Sequence, residues 1–367
     1  VQFICQGKQD LLFVRTQVFV TLKLAMPSPT QRARPSVAIY GAGAIGLTLA
    51  SELITAGHAV TVVARGKSYE QISAQGIELR FPDRPTSRHS PSTFNCVNSS
   101  SGRGAAQSHI FITVKSQDTL DACTSLSKLS LLADDTHVII AANGVPFWLS
   151  YKQPKIESLL PNTDNRDKLF ASVPANKIIG GVISFNASLL EPGVVQLNAG
   201  NTITLGEISD NNSGRIAALQ ALFTQGKISV KQSANIRRDV WHKLLVNISI
   251  NPASVVYQKP IDELIGTKES RQVIAGVMRE VHALGVILGV CEEGDFNIEA
   301  FLTTFAEQRK GSFTSMYNDH RASRPLEFDR IIGTVLYLAS LPKINLLVPN
   351  LTLLSQHLDQ RCSRADN

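Results

Sequence analysis

The six residues Gly41-Ala42-Gly43-Ala44-Ile45-Gly46 constrain this chain more than any other stretch. They follow a short apolar run, Val37 to Tyr40. They precede a helical pattern, Leu47 to Ala56, that Gly57 stops, and a second apolar run, Ala59 to Val63, comes next. A G-x-G-x-x-G placed between a strand and a helix has a physical reading at each glycine. Gly41 permits a tight turn, Gly43 lets a pyrophosphate approach the backbone, and Gly46 lets the helix pack close to the strand. The helix start adds unpaired N–H groups and the positive end of a dipole. All six residues are therefore candidate contacts to a dinucleotide.

The end of the second strand discriminates between dinucleotides. An acidic residue there would accept from a ribose 2′-OH, but this chain has Arg65. A guanidinium pairs with a 2′-phosphate and stacks on adenine. Such a charge-assisted contact is worth roughly 1.5–3 kcal/mol, or about a 10- to 150-fold preference. The expected cofactor is NADPH (NADP+).

Further apolar runs at His109 to Lys115 and Val138 to Ala142 read as buried strands. Residues 82–108, rich in Pro, Ser, Arg and Asn, read as a surface loop, and 150–175 as a polar, loop-rich segment. Residues 178–208 read as three strands (IIGGVISF, GVVQLN, NTITLGE). A helix from Arg215 to Thr224 and a short strand from Lys227 to Val230 follow. From Asn235 onward strand-like runs stop and apolar residues recur at helical spacing. The expectation is an α/β Rossmann-type dinucleotide-binding domain over 36–233. An all-α domain is expected over 234–367.

Charge excludes one function class. The chain has 367 residues and a formal net charge of +6, but residues 1–35 hold five basic residues against Asp10 alone. The body is nearly neutral, which argues against a nucleic-acid face. Two readings of 1–35 stand: a mitochondrial transit peptide, or an upstream extension with Met26 as the start of a cytoplasmic protein. No apolar run is long enough to span a membrane. Five cysteines, at 5, 96, 123, 291 and 362, form no C-x-x-C pair, so neither a disulfide framework nor a metal site is expected. A homodimer is compatible with all of this.

Polar residues mark where ligands would bind. Lys115 and Asn143 end two strands, where ligands of such sheets sit. Lys243, Asn247 and Asn251 fall at four-residue intervals among Leu244, Leu245, Val246, Ile248 and Ile250. On a helix they share one face, and a buried polar row needs partners. Pro252 disfavours helical geometry at Asn251, so a bend or helix end is expected there. Farther on, Gly311 to Arg330 reads as a Ser/Thr-rich helix start, a charged turn containing Asp319 and Arg321, and then a helix opened by Glu327.

Taken together the motifs resemble those of the ketopantoate reductase (2-dehydropantoate 2-reductase) family, from about Val37 to about His357. The glycine loop, Lys115 in VKSQD, and Asn143-Gly144 are in place. The W-x-K-x-x-x-N-x-x-x-N-P signature is present as Trp241, Lys243, Asn247, Asn251 and Pro252. The S-M-x-x-D…E-x-D-x-x-x-G segment is present as Ser315, Met316, Asp319, Glu327, Asp329 and Gly333.

The resemblance implies 2-dehydropantoate (ketopantoate) as substrate, reduced at C2 by NADPH to pantoate for pantothenate and coenzyme A synthesis, with substrate and catalysis carried by an all-α domain like the C-terminal part of 6-phosphogluconate dehydrogenase. It implies Lys243 as general acid and Glu327 as the group holding Lys243 or the substrate hydroxyl. Ser315 would donate to the substrate carboxylate, with Asn143, Asn247 and Asn251 on the other oxygens and Lys115 between cofactor and substrate. Departures touch the pocket walls: longer stretches at 82–108 and 150–175, Ser312 where asparagine is usual, Ile332-Gly333 for Asn-Gly, and a lengthened connection before Val348. Two alternatives follow: reduction of another 2-oxo acid with the same Lys243 and Glu327, and an NADPH-binding sensor without turnover. A 6-phosphogluconate-type hydroxyacid dehydrogenase lacks the S-M-x-x-D…E spacing.

Overall fold

The computed structural model describes residues 35–160, 164–209 and 214–363. The readings of residues 1–34, including Met26 as start and Cys5, lie outside the described residues. Within 35–233 the elements in chain order are β1 (Ser36–Tyr40), α1 (Ala44–Thr55), β2 (Ala59–Ala64), α2 (Gly66–Gln75), β3 (Ile77–Arg80), β4 (Ser87–His89), β5 (Asn95–Asn98), β6 (His109–Ile112), α3 (Thr119–Lys128), β7 (His137–Ile140), α4 (Pro154–Leu159), α5 (Asp164–Ser172), β8 (Ile178–Glu191), β9 (Val194–Glu207), α6 (Arg215–Leu222) and β10 (Ser229–Gln232). They build one mixed sheet, ordered β4-β3-β9-β8-β7-β6-β1-β2-β5, with β10 also paired to β9.

The centre of that sheet is parallel: β5, β2, β1, β6, β7 and the start of β8 run the same way. Parallel strands are covered on both faces and read as unbroken apolar runs, and the burial pattern shows why. Val37 and Ile39 face one core with Phe111 and Ile139. Their neighbours Ala38 and Tyr40 face the other with Ile110, Ile112, Val138 and Ile140. Because the strands are parallel, their carboxyl ends share one rim, and the residues after β1, β2, β6 and β7 meet there.

Three expectations for this half are corrected. Residues 82–108 are not one loop: β4 pairs antiparallel with β3, and β5 pairs parallel with β2. Both are edge strands of three or four mostly polar residues, so they carry almost no apolar alternation to read. The segment 150–175 contains α4 and α5, and Ile156 of α4 enters the helical core. The three strands expected over 178–208 are two: β8 and β9 form a long antiparallel hairpin turning at Pro192-Gly193, with Gly193 at φ 89°.

The remaining helices are α7 (Ile236–Tyr257), α8 (Ile261–Gly266), α9 (Lys268–Leu288), α10 (Ile298–Gln308), α11 (Ser315–Arg321), α12 (Thr334–Ser340) and α13 (Pro349–Ser363). A single turn of π-helix, Asp329–Gly333, leads into α12. The long α7 packs on α8, α9, α11 and α13, burying Trp241, Leu245, Ile248 and Val255. The Trp241 indole donates to the Val281 carbonyl of α9 over 3.0 Å. Asn251 does not end the helix, because α7 continues to Tyr257 with Pro252 inside it. Proline there cannot donate to the Ile248 carbonyl, a cost of about 3 kcal/mol. Buried Ile250, Ala253 and Val255 hold the turn in place. No helix among the described residues is long and apolar enough to cross a membrane.

Candidate active site

At the sheet rim the glycine loop has the form its sequence dictates. Gly41 takes φ +116°, and a Cβ there would meet the Val114 backbone at 3.0 Å. A Cβ on Gly46 would lie 1.9 Å from the Gly41 carbonyl, so only glycine fits where α1 meets β1. Gly43 is different, for nothing lies within 4 Å of its would-be Cβ. It precedes α1 with no side chain capping the helix. The loop therefore offers an open backbone cradle with free N–H groups, suited to a pyrophosphate. Thr113, after β6, supports the cradle from below, donating to the Gly41 carbonyl at 3.1 Å.

Arg65 follows β2 directly and is 70% exposed, paired with Asp118 at 3.1 Å. It stands at the strand end, as its sequence position predicts. Lys115, after β6, reaches across to the helical half. Its Nζ donates to the Pro325 carbonyl at 2.7 Å and to Asp319 at 3.3 Å. Asp319 also pairs with Arg324 at 2.8 Å, so its ion pairs are with Lys115 and Arg324 rather than Arg321.

Between rim and helices lies a cavity of about 350 Å³. Lys115, Asn143, Lys243, Asn247, Asn251, Ser315 and Glu327 all line it, as do Gly43, Ala44 and Ile45. Gly41, Ala42, Gly46 and Arg65 stand beside it rather than in its wall. The i, i+4, i+8 face of α7 thus points into one space. Asn247 is almost fully buried and donates to Asn143 Oδ1 at 3.0 Å. Asn143 in turn donates to Glu327 at 3.4 Å. The other Glu327 oxygen accepts from the Ser116 backbone at 3.1 Å. Glu327 is therefore held by the sheet rim and has no bond to Lys243. Ser315 opens α11, whose cap is Thr314, accepting from the Tyr317 N–H.

Lys243 has no hydrogen-bond or ion-pair partner among the described residues. Burial, with the Arg309 charge as a second cause, lowers its ammonium to about 8. Arg309, just beyond α10, also lines the cavity. Its guanidinium lies over the Phe305 ring, 5.7 Å from the centroid. The sequence reading did not single out Arg309 or Arg324. Each sits among other polar residues near a helix end and carries no periodic signal.

A doubly covered parallel sheet with a glycine-loop rim, facing a polar stripe on a helical half, defines a two-part oxidoreductase-type fold. Family comparison gives the particular family. Residues 37–210 match Ketopantoate reductase PanE/ApbA, and 235–361 match its C-terminal counterpart. The chain belongs to the ketopantoate reductase family. It is 27% identical over 302 residues to the 2-dehydropantoate 2-reductase of Mesorhizobium japonicum, an alignment covering 82% of this chain and 90% of that one. With the 2-dehydropantoate 2-reductase of Pyrococcus horikoshii it shares 24% identity over 311 residues, 85% and 92% of the two chains. Solved structures show the same fold. The 2-dehydropantoate 2-reductase of Geobacter metallireducens matches with a TM-score of 0.72 at 24% identity, over 89% of this chain and 99% of that one. D-mandelate dehydrogenase with NADH and anilino(oxo)acetate matches with 0.74 at 19% identity, over 90% and 100%.

Proposed function

We propose that this chain reduces a 2-oxo acid to its 2-hydroxy acid with NADPH, and that 2-dehydropantoate is the substrate. The observation that carries this reading is the pair Lys243 and Arg309, two cations lining one cavity without an acidic partner at Lys243. Two like charges facing one cavity favour an anion there, and a 2-oxo acid supplies both a carboxylate and a carbonyl oxygen. The relatives named 2-dehydropantoate 2-reductase support the choice of substrate.

The cofactor would rest on Gly41 to Gly46, with Arg65 at the 2′-phosphate and Lys115 and Asn143 near the nicotinamide side. When bound, the nicotinamide supplies hydride to the substrate C2. Lys243 then gives a proton to the oxygen at C2, where negative charge develops. A pKa of about 8 leaves this lysine charged at neutral pH yet a better proton donor than an ordinary one. Arg309 and Ser315 hold the carboxylate. Asn247 and Asn251 orient the remaining oxygens, and Glu327 accepts from a substrate hydroxyl.

The test is NADPH oxidation followed with 2-dehydropantoate and a panel of other 2-oxo acids, with NADH alongside. Preference for 2-dehydropantoate supports the full reading. A second reading, a substrate with an aromatic side chain, is favoured by one feature: Phe305 and Phe313 line the cavity, and Phe313 stacks on Tyr317 with centroids 4.3 Å apart. Turnover of an aryl 2-oxo acid in preference would replace the substrate and keep the chemistry. Dinucleotide binding with no turnover would point to a sensor.

A further inference from the structure

On the opposite side of α7 from the cavity, His242 faces α9 and the segment that follows it. Gly289, at φ 79°, ends α9, and the chain turns back so that the Cys291 N–H donates to the Gly285 carbonyl at 3.2 Å. Asp295 closes the turn by accepting from the Glu292 N–H at 3.1 Å. One ligand atom each from His242, Cys291 and Asp295 lies within 4.8 Å of the others. A fourth group is beside them: His282 of α9 bonds the Asp295 carboxylate at 2.7 Å, on the same oxygen that faces His242 at 3.4 Å. All four side chains are largely removed from water. The Phe296 ring packs against His242 at 4.9 Å.

We propose that His242, Cys291 and Asp295 form a three-ligand zinc-class metal site, with water in the fourth position, that clamps α7 to the end of α9. The donor set of imidazole, thiolate and carboxylate suits zinc. Tetrahedral zinc with bonds of about 2.0–2.3 Å needs ligand atoms about 3.3–3.6 Å apart, so small rotamer changes close the site. His282 then serves as the outer partner that orients the Asp295 carboxylate, a role such histidines and carboxylates commonly share. Burial and the Asp295 charge push the Cys291 thiol up to about 12. Without a cation the sulfur keeps its proton; zinc binding forms the S–Zn bond and releases that proton to solvent. The sequence hides the site because its ligands come from two distant segments and include only one cysteine.

The bland alternative is a hydrogen-bonded staple, with Asp295 simply bridging two histidines. The untagged full chain, dialysed against zinc and then metal-free buffer, distinguishes them by elemental analysis and by cobalt titration. The expected result is about one zinc per chain and a thiolate-to-cobalt absorption band. Cys291→Ser should abolish the band, and His242→Gln should abolish zinc retention. His282→Gln should weaken affinity roughly 10- to 100-fold. No retained zinc and no band in the unaltered chain overturn the proposal, as does retention unchanged in both ligand variants. Should a variant fail to fold, X-ray absorption of the zinc-loaded unaltered chain decides: one sulfur among nitrogen and oxygen ligands supports the site, and a shell without sulfur overturns it.

Discussion

Asn247 donates its side-chain N–H to Oδ1 of the Asn143 side chain over 3.0 Å, across 104 residues of chain. That bond fixes which way the Asn143 amide points, and so turns its own N–H toward Glu327. A buried residue of the helical half thereby sets the orientation of a strand-end residue at the sheet rim. Asn143→Ala should leave the Asn247 amide buried without its acceptor, at a cost of about 1–3 kcal/mol. Thermal or urea unfolding measures it, and an unchanged midpoint would show the bond to be dispensable.

Lys243→Ala should lower kcat by roughly 10²–10⁴, the range for a lost acid–base group, while dinucleotide affinity stays the same. Steady-state turnover beside a fluorescence titration separates the two effects. Normal turnover would remove Lys243 from the chemistry.

The Lys243 ammonium sits low because it is buried and because Arg309 is near. A proton donor works only in its charged form, so kcat/KM should fall as pH rises through about 8. Arg309→Met removes the second cause, so the falling limb should move to higher pH, while KM rises from the lost carboxylate contact. A limb that stays in place would separate Arg309 from Lys243.

The sheet and its rim were legible because both faces are buried: Val37 to Tyr40 and Val138 to Ile140 are apolar at every position, and the glycine loop sits between them and α1. The α7 stripe was legible because Lys243, Asn247 and Asn251 repeat with the helix. Strand β5 was not, because Asn95, Cys96 and Asn98 surround a single buried valine at a sheet edge. Nor was the placing of Glu327, whose partners Ser116 and Asn143 lie about two hundred residues earlier, or that of Arg309, whose neighbour Lys243 is on another helix. Such pairings arise from the crossing of elements and leave no local pattern.

Two glycine substitutions should behave oppositely. Gly46→Ala drives a methyl to 1.9 Å from the Gly41 carbonyl, so the chain should lose stability and solubility. Gly43→Ala meets nothing within 4 Å, so folding should survive while dinucleotide affinity falls. Circular dichroism and a binding titration read the contrast; equal behaviour of the two variants would mean that the open side of Gly43 is not where phosphate lies.

Arg65→Ala should erode the NADPH over NADH preference in kcat/KM by roughly 10- to 150-fold, the worth of one charge-assisted contact. Asp118, which holds Arg65 at 3.1 Å, competes with any phosphate. Asp118→Asn should therefore strengthen NADPH binding modestly. If neither ratio changes, Arg65 is only a solvated surface charge.

The unbroken course of α7 through Pro252 gives the cavity a built-in ruler. Lys243, Asn247 and Asn251 stand on successive rungs about 6 Å apart along the helix. A small acid touches all three only where their side chains lean toward one another, and a longer acid lies along the stripe. Chain length, as much as charge, then sorts which acids fit.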